Sequence, residues 1–223
     1  MKQFLKLIKY LFTENYKTIW FNFKYLPFKQ AIYFPIILSK NVYIKKMTGS
    51  IVFDCPIKYN LVSFGFGEVG IFDEKKARSI WQVSGKVIFK GKTLLGHGTK
   101  ISVEKKGELI FGSNFKVTAE SSFVAHNKIE FGQNCLLSWD ILIMDTDSHS
   151  VVDSNGNIGE STKPIYIGNH VWIGCRATIL KGSFVSDNCI IGASSVLNSK
   201  YEVSNAIYAG SPAKLVKQDV NWI

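Results

Sequence analysis

The sequence IYIGNHVWIGCRATILKGSFVSDNCIIGASSVLN, residues 165–198, places an aliphatic residue at every sixth position. These positions hold Ile167, Ile173, Ile179, Val185, Ile191 and Leu197. A second column, two residues before each aliphatic residue from Ile173 onward, holds nothing larger than valine: Val171, Ala177, Ser183, Cys189 and Ser195. A period of six fits neither a helical face nor an alternating strand. Short fixed periods are typical of folds built from stacked coils.

The six-residue period predicts a short strand, a corner and another strand, so that three hexads complete one triangular coil. Successive coils would stack at about the spacing of neighbouring strands, ~4.8 Å. We expect the aliphatic column to face the axis and the small column to face inward near a corner. Glycine follows the aliphatic residue at Gly168, Gly174 and Gly192, where we expect it to supply a positive φ. A β-sandwich is disfavoured, because sandwich strands alternate and have longer, irregular turns.

The predicted fold is all-β, a parallel β-helix with a helical or extended N-terminal extension and a short C-terminal tail. We place the extension at residues 1–46, the β-helix at 47–205 and the tail at 206–223. The hexads slip by two residues at Phe131 and stop for the polar, turn-rich loop 144–164. A loop of this length inside a regular solenoid is more often functional than accidental.

Residues 1–46 hold nine lysines and one glutamate, so they carry +8 of the net charge of +10. Aromatic residues crowd the same segment, and Phe4, Leu7, Ile8 and Leu11 form an apolar helical stripe. This pattern is typical of a segment that lies on an anionic membrane surface. Packing of the stripe on the protein's own core or on a neighbouring subunit is an equal alternative. No nucleic-acid partner is expected, because no nucleic-acid-binding module is recognisable.

Four cysteines lack any paired spacing, and Cys189 occupies an inward hexad position. They indicate a reducing compartment. The start of the chain lacks the pattern of a signal peptide, and no apolar run approaches 18 residues. We therefore expect a cytoplasmic protein, peripheral at the inner face of the membrane if the extension binds lipid.

Three motifs occur in a fixed order: Asp145-Thr146-Asp147-Ser148-His149, the stretch NHVWIG at residues 169–174, and AGSPAK at residues 209–214. With the hexads around them, residues 85–218 resemble the hexapeptide-repeat acyltransferases, which have a left-handed parallel β-helix. The resemblance is to sugar O-acetyltransferases such as galactoside and maltose acetyltransferase, and to relatives in capsule and lipopolysaccharide gene sets.

The resemblance implies a homotrimer that binds acetyl-CoA in the cleft between adjacent subunits. It implies that His149 is the base that deprotonates the acceptor hydroxyl. The implied cofactor-binding positions are Trp172, Cys175, Ala193, Asn198, Ser199, Lys214 and Lys217, the two lysines facing the CoA phosphates. The implied acceptor-side positions are Thr118, Glu120 and His126.

Acyl transfer from a thioester to an alcohol needs a base that titrates near neutrality, as histidine does. Asp145 and Asp147 are candidates to orient the imidazole of His149 or to hold acceptor hydroxyls. A backbone N–H of the last coils or of the Ser138–Trp139 corner would stabilise the oxyanion, and the residues alone do not choose between them. Cys175 is not expected to be a nucleophile, because no base is its sequence neighbour.

A metal site is not expected. His97, His126 and His170 suggest the interfacial zinc site of γ-class carbonic anhydrases, which share this fold. The resemblance to that family requires two ligands five residues apart, and no two histidines here are so spaced.

These observations favour a CoA-dependent O-acyltransferase, acting on a sugar hydroxyl in surface-polysaccharide biosynthesis. An N-acetyltransferase for an amino-sugar or nucleotide-sugar is an alternative. A β-helix without activity that scaffolds a glycan-assembly complex is another.

Overall fold

The computed structural model describes residues 15–223, and apart from two short helices its regular structure is all β. Helices α1 (Tyr16–Tyr25) and α2 (Phe28–Ala31) come first. Seven coils of three strands follow. They are β1 (Ile36–Leu38), β2 (Val42–Met47) and β3 (Ser50–Phe53); β4 (Val62–Phe66), β5 (Ser79–Val83) and β6 (Lys86–Phe89); β7 (Thr93–His97), β8 (Lys100–Val103) and β9 (Glu108–Phe111); β10 (Phe115–Ala119), β11 (Ser122–Ala125) and β12 (Lys128–Phe131); β13 (Leu136–Trp139), β14 (Leu142–Met144) and β15 (Ile165–Ile167); β16 (Trp172–Ile173), β17 (Thr178–Leu180) and β18 (Phe184–Val185); β19 (Ile190–Ile191), β20 (Val196–Leu197) and β21 (Lys200–Tyr201).

The first, second and third strands of every coil form three separate sheets, each built from parallel strands. We call them the first, second and third sheets. The first edge joins the first sheet to the second, the second edge joins the second to the third, and the third edge closes the prism. The predicted left-handed parallel β-helix is confirmed.

The two inward columns are buried as predicted. The aliphatic column from Ile167 to Leu197 is at most 3% exposed, and the small column from Val171 to Ser195 is fully buried. Each buried aliphatic side chain stabilises the fold by about 1.5–3 kcal/mol. The register slip at Phe131 arises because early coils are longer. Paired residues lie 22 positions apart from Leu95 to Val117, 20 from Val117 to Leu137 and 18 from Ile173 to Ile191.

The prediction that glycines after the aliphatic residue supply a positive φ is wrong. Gly168, Gly174 and Gly192 are absent from the residues with positive φ, which occurs two positions later, at His170, Arg176 and Ser194. The glycines are needed for close approach instead. A Cβ on Gly174 would lie 2.6 Å from the backbone nitrogen of Ala193 on the next coil, and a Cβ on Gly168 would lie 2.4 Å from the Asp187 carboxylate.

Helix α1 closes the N-terminal end of the prism. β1 is the outermost strand of the first sheet, so its free backbone groups need partners. Asn22 donates to Ile36 O at 2.7 Å and accepts from Ile36 N at 3.2 Å, Thr18 Oγ1 accepts from Leu38 N at 3.0 Å, and Asn15 Nδ2 donates to Leu38 O. The parallel sheets therefore begin at Ile36, inside the segment predicted as an extension.

The apolar side of the same helix packs on the core. Phe21 is fully buried and meets the ring of Trp81 edge-on at 5.2 Å, and Trp81 Nε1 donates to the Tyr25 hydroxyl at 2.8 Å. Burial raises the pKa of Tyr25 to about 12. The opposite end of the prism is closed by β22 (Ile207–Gly210), which continues the first sheet, and by β23 (Ala213–Lys217), which pairs with it in antiparallel orientation.

Two insertions leave the prism. Residues 67–78 leave at the first edge, between β4 and β5, and residues 145–164 leave at the second edge, between β14 and β15. The described helices include none that is long and apolar enough to cross a membrane. The stripe formed by Phe4, Leu7, Ile8 and Leu11 lies outside the described residues.

Candidate active site

His149 lies on the ordered insertion that leaves the second edge. The base of this loop is closed by the Asp147 N–H, which donates to Ser161 O at 2.8 Å, and by the Lys163 N–H, which donates to Asp145 O at 3.0 Å. Its far end is a turn in which Asp153 accepts N–H bonds from Asn155 and Asn157 at 2.8 and 2.9 Å. The backbone that carries His149 is therefore held at both ends of the loop.

Asp145 is fully buried at the root of this loop. One carboxylate oxygen accepts the backbone N–H of His126 at 2.7 Å and the other accepts that of Asn127 at 2.8 Å. Burial leaves the carboxylate no surface with which to touch an acceptor. Asp145 is therefore a positioning residue that ties the loop to the preceding coil, and the half-buried His126 lies at the turn that it holds.

Asp147 is exposed and forms an ion pair with Lys181 at 2.5 Å. Ser148 has a φ of +61°, and its N–H donates to Thr146 Oγ1 at 2.9 Å, so the chain turns sharply just before His149. The imidazole of His149 is exposed and has no hydrogen-bond partner among residues 15–223. Neither predicted carboxylate orients the imidazole in the single chain.

The other predicted residues of the second edge are exposed and follow His149 along the prism. Asn198 and Ser199 lie at this edge in the seventh coil. The half-buried Lys181 lies at the same edge in the sixth coil. Lys181 was not among the predicted site residues. Its place at a corner beside the loop was readable from the hexads, but its pairing with Asp147 was not.

A second group of predicted residues lies along the first edge. Glu120, Cys175 and Ala193 occupy this edge in the fourth, sixth and seventh coils, and Thr118 precedes it on β10. Glu120 forms an ion pair with Lys100 at 3.0 Å. The edge is continuous, because the Ser194 N–H donates to Cys175 O at 2.9 Å.

Trp172 presents its indole outward on the first sheet, 37% exposed, and Nε1 donates to Ser138 Oγ at 3.3 Å. Lys214 and Lys217 are exposed on β23. Trp222 was not predicted: its ring stacks on His170 at 4.2 Å and 5°, and its Nε1 donates to His170 O at 2.9 Å. The aperiodic tail gave no signal for this contact.

The thiols of Cys135 and Cys189 belong to the core. Burial raises the pKa of Cys135 to about 12 and raises that of Cys189 as well, so both are unreactive at neutral pH. Within residues 15–223 no three His, Cys, Asp or Glu side chains lie close enough together to hold a metal ion.

The predicted site residues do not meet within one chain. His149, Asp147, Asn198 and Ser199 lie at the second edge, whereas Glu120, Cys175 and Ala193 lie at the first. The second sheet lies between the two edges, and even its three-residue strands β14 and β17 span roughly 10 Å at ~3.3 Å per residue.

No protein-family model matches the chain. Among curated proteins, it is 34% identical over 104 residues to the polysialic acid O-acetyltransferase of Neisseria meningitidis, covering 46% of this chain and 48% of that protein. It is 30% identical over 109 residues to the galactoside O-acetyltransferase of Escherichia coli K12, covering 48% and 52%. The chain thus spans about half the length of these curated relatives.

Among solved structures, the polysialic-acid-specific acetyltransferase NeuO has a TM-score of 0.53 and 18% identity, with 84% of this chain and 75% of that chain covered. At this identity the likeness concerns the fold. The resemblance inferred from the three motifs is confirmed, because both of these curated relatives are sugar O-acetyltransferases.

Proposed function

We propose that this protein is a CoA-dependent O-acyltransferase that transfers an acetyl group from acetyl-CoA to a sugar hydroxyl in surface-polysaccharide biosynthesis. The observation that carries the proposal is the exposed His149 on an anchored loop at one edge of a hexapeptide-repeat prism. The names of the relatives, which act on polysialic acid and galactosides, support a sugar hydroxyl as the acceptor.

We propose that the site forms between subunits of a homotrimer. The second edge of one copy would face the first edge of the next, which brings His149 toward Cys175 and Ala193. A cyclic arrangement of three prisms makes three identical sites of this kind. The separation of the two edges within one chain supports the proposal.

In this arrangement His149 takes the proton of the acceptor hydroxyl as its oxygen attacks the thioester carbonyl. The carbon–sulfur bond then breaks, CoA leaves as the thiol after receiving the proton, and the sugar ester remains. Trp172, Cys175 and Ala193 wall the pantetheine arm, and Asn198 and Ser199 contact the cofactor further along.

The outer parts of the two substrates meet other groups. Lys214 and Lys217 bind the CoA phosphates, which suits two exposed cations on a short hairpin strand. Thr118, Glu120, His126 and Asp147 face the acceptor.

We further propose that α1 rests on an anionic membrane surface. Tyr16, Trp20 and Phe23 lie on the face of the helix opposite the buried Phe21, and they are 72%, 51% and 42% exposed. The exposed Lys24 flanks them. Amphipathic aromatic rings beside lysines are the side chains that membrane interfaces favour.

The test of the activity is an acceptor screen with acetyl-CoA, in which free CoA thiol and acetylated product are both measured. Sugars that bear only hydroxyls are compared with matched amino sugars. Transfer to the hydroxyl sugars, abolished by His149→Ala, supports the proposal. Transfer to amino groups alone favours the N-acetyltransferase, and binding of neither CoA nor acceptor favours the scaffold.

A further inference from the structure

Two adjoining cavities lie beside the first edge, far along the prism from the loop of His149. They are formed where the insertion 67–78 folds back over the first coil. Asn41 Nδ2 holds the insertion down by donating to Glu74 O at 3.0 Å and to Lys75 O at 2.9 Å. Neither cavity is lined by a residue assigned to the proposed transfer.

The smaller cavity, of about 250 Å³, is strongly basic, and we call it the basic groove. Its cationic lining residues are Lys17, Lys40, Lys75, Lys76 and Arg78, and no acid lines it. Two of them are held in place: Lys17 Nζ donates to Lys40 O and Val42 O at 2.9 and 3.0 Å, and Arg78 lies over the Tyr43 ring at 4.1 Å. Asp73 reaches Lys76 at 4.0 Å, and within residues 15–223 the other four cations form no ion pair. Like charges gathered in a concave site favour a bound anion.

The larger cavity, of about 650 Å³, is lined by two residues whose buried polar side chains have no partner, Ser39 and His97, and we call it the His97 cavity. His97 is 2% exposed, and neither ring nitrogen has a hydrogen-bond partner within residues 15–223. The same holds for the hydroxyl of Ser39. Buried polar groups without partners cost free energy that a ligand recovers by bonding them.

The chemistry of the His97 cavity suits a ligand rich in hydroxyls. A neutral imidazole offers one donor and one acceptor, as a hydroxyl does. At the rim, Glu68 and Glu74 balance Lys40 and Lys75, so the lining favours no net charge on the ligand part that it holds. The volume is in the ordinary range for small-molecule sites, about 300–1,000 Å³.

The two cavities share Lys40, Asn41 and Lys75. We propose that together they bind a sugar phosphate, with the ring in the His97 cavity and the phosphate in the basic groove. The same chemistry is offered by a soluble sugar phosphate and by one at the head of a lipid carrier. Lys17 belongs to α1, the helix whose exposed face we assign to the membrane.

This inference rests on the proposed function in one respect, that the sugar phosphate is the carrier end of the acceptor. The position of the cavity supports that link. The Glu120 N–H donates to His97 O at 2.8 Å, so the His97 cavity lies one coil below the acceptor side of the first edge. Binding itself requires no transfer reaction.

The first experiment is calorimetry on the full chain without acyl-CoA. The probes are the 1-phosphates of glucose, galactose and N-acetylglucosamine, together with inorganic phosphate and the three free sugars. We expect at least one sugar phosphate to bind tenfold more tightly than phosphate and than its free sugar. A result in which none does so overturns the proposal. Polyprenyl glucosyl phosphate in neutral vesicles is the lipid arm, and binding there but not to the soluble esters identifies the carrier form.

The second experiment uses variants with a matched control. Lys75→Ala/Lys76→Ala should weaken sugar phosphate binding at least tenfold. The equally exposed pair Lys105→Ala/Lys106→Ala removes the same charge at the second edge and should change binding less than twofold. Equal losses from the two pairs would reduce the effect to net charge and defeat the proposal.

The variant His97→Leu tests binding of the sugar ring independently of binding of the phosphate. The melting temperature should stay the same or rise, because an unpartnered polar group is removed, whereas the advantage of the sugar phosphate over phosphate should disappear. If that advantage persists in the folded variant, the ring does not bind at His97. Sugar phosphate binding that is unchanged in all these variants would overturn this inference and leave the proposed function, which is measured by transfer, intact.

Discussion

Asp145→Asn should destabilise the protein by about 2.5–6 kcal/mol, although the two side chains have the same shape. In the native protein both carboxylate oxygens are buried and each accepts one backbone N–H, from His126 and from Asn127. The amide keeps one acceptor but turns an NH2 group toward the other donor. The loss is one bond to a charged group, about 1.5–3 kcal/mol, and one unsatisfied buried donor, about 1–3 kcal/mol.

The assay is urea unfolding at fixed protein concentration, because the proposed association of subunits would add to the apparent stability. Asp153→Asn is the matched control. Asp153 also accepts two backbone N–H bonds, but in an exposed turn at the far end of the same loop, where water replaces a lost partner. We expect a far smaller change there. If the two variants unfold at the same urea concentration, the buried pair of bonds does not hold the loop and the reasoning is refuted.

Three further predictions concern the proposed activity and the membrane. His149→Ala should lower turnover by about 10²–10⁴ with CoA affinity near that of the wild type, and retention of more than about a tenth of the turnover would assign the base elsewhere. Lys214→Ala and Lys217→Ala should each raise the KM for acetyl-CoA with little change in kcat, since phosphate contacts bind ground and transition states alike; an unchanged KM in both would place the phosphates elsewhere. Trp20→Ala should weaken salt-sensitive binding to anionic vesicles while Trp222→Ala should not, as measured by co-sedimentation, and failure of the wild type to bind would leave α1 as a structural cap alone.

Local periodicity explains why much of the fold was predictable. Each hexad repeats the same requirements, an aliphatic residue at the axis and a small residue at the corner, so the burial of Ile179 or Ser195 follows from its place in the repeat. The positive-φ corners were misassigned because glycine serves two needs. At Gly174 the need is close approach to the next coil, which depends on contacts between coils and not on local turn geometry.

The two ends and the cavities were not predictable in this way. Asn15, Thr18 and Asn22 form hydrogen bonds with β1, whose residues lie 14 to 23 positions further along the chain. The spacing of these three residues in the sequence does not indicate β1 as their partner. The candidate site was found through motifs at His149 and Trp172. The separation of these residues onto different parts of the prism required the sheet order.

That separation yields the sharpest test of an intersubunit site. His149→Ala removes the proposed base at the second edge. Trp172→Ala/Ala193→Glu removes the proposed cofactor contacts at the first sheet and first edge. Ala193 is exposed, so the fold tolerates a larger side chain there. In a cyclic trimer every mixed assembly of the two variants contains one site in which both contributing surfaces are intact. Random mixing at equal amounts makes about three quarters of the trimers mixed, with one active site of three, so about a quarter of wild-type activity should return. The two inactive proteins are unfolded together, refolded and assayed beside separately refolded samples. If the mixture is no more active than its parts, the site lies within one chain, and the assignment of its halves to neighbouring subunits is wrong.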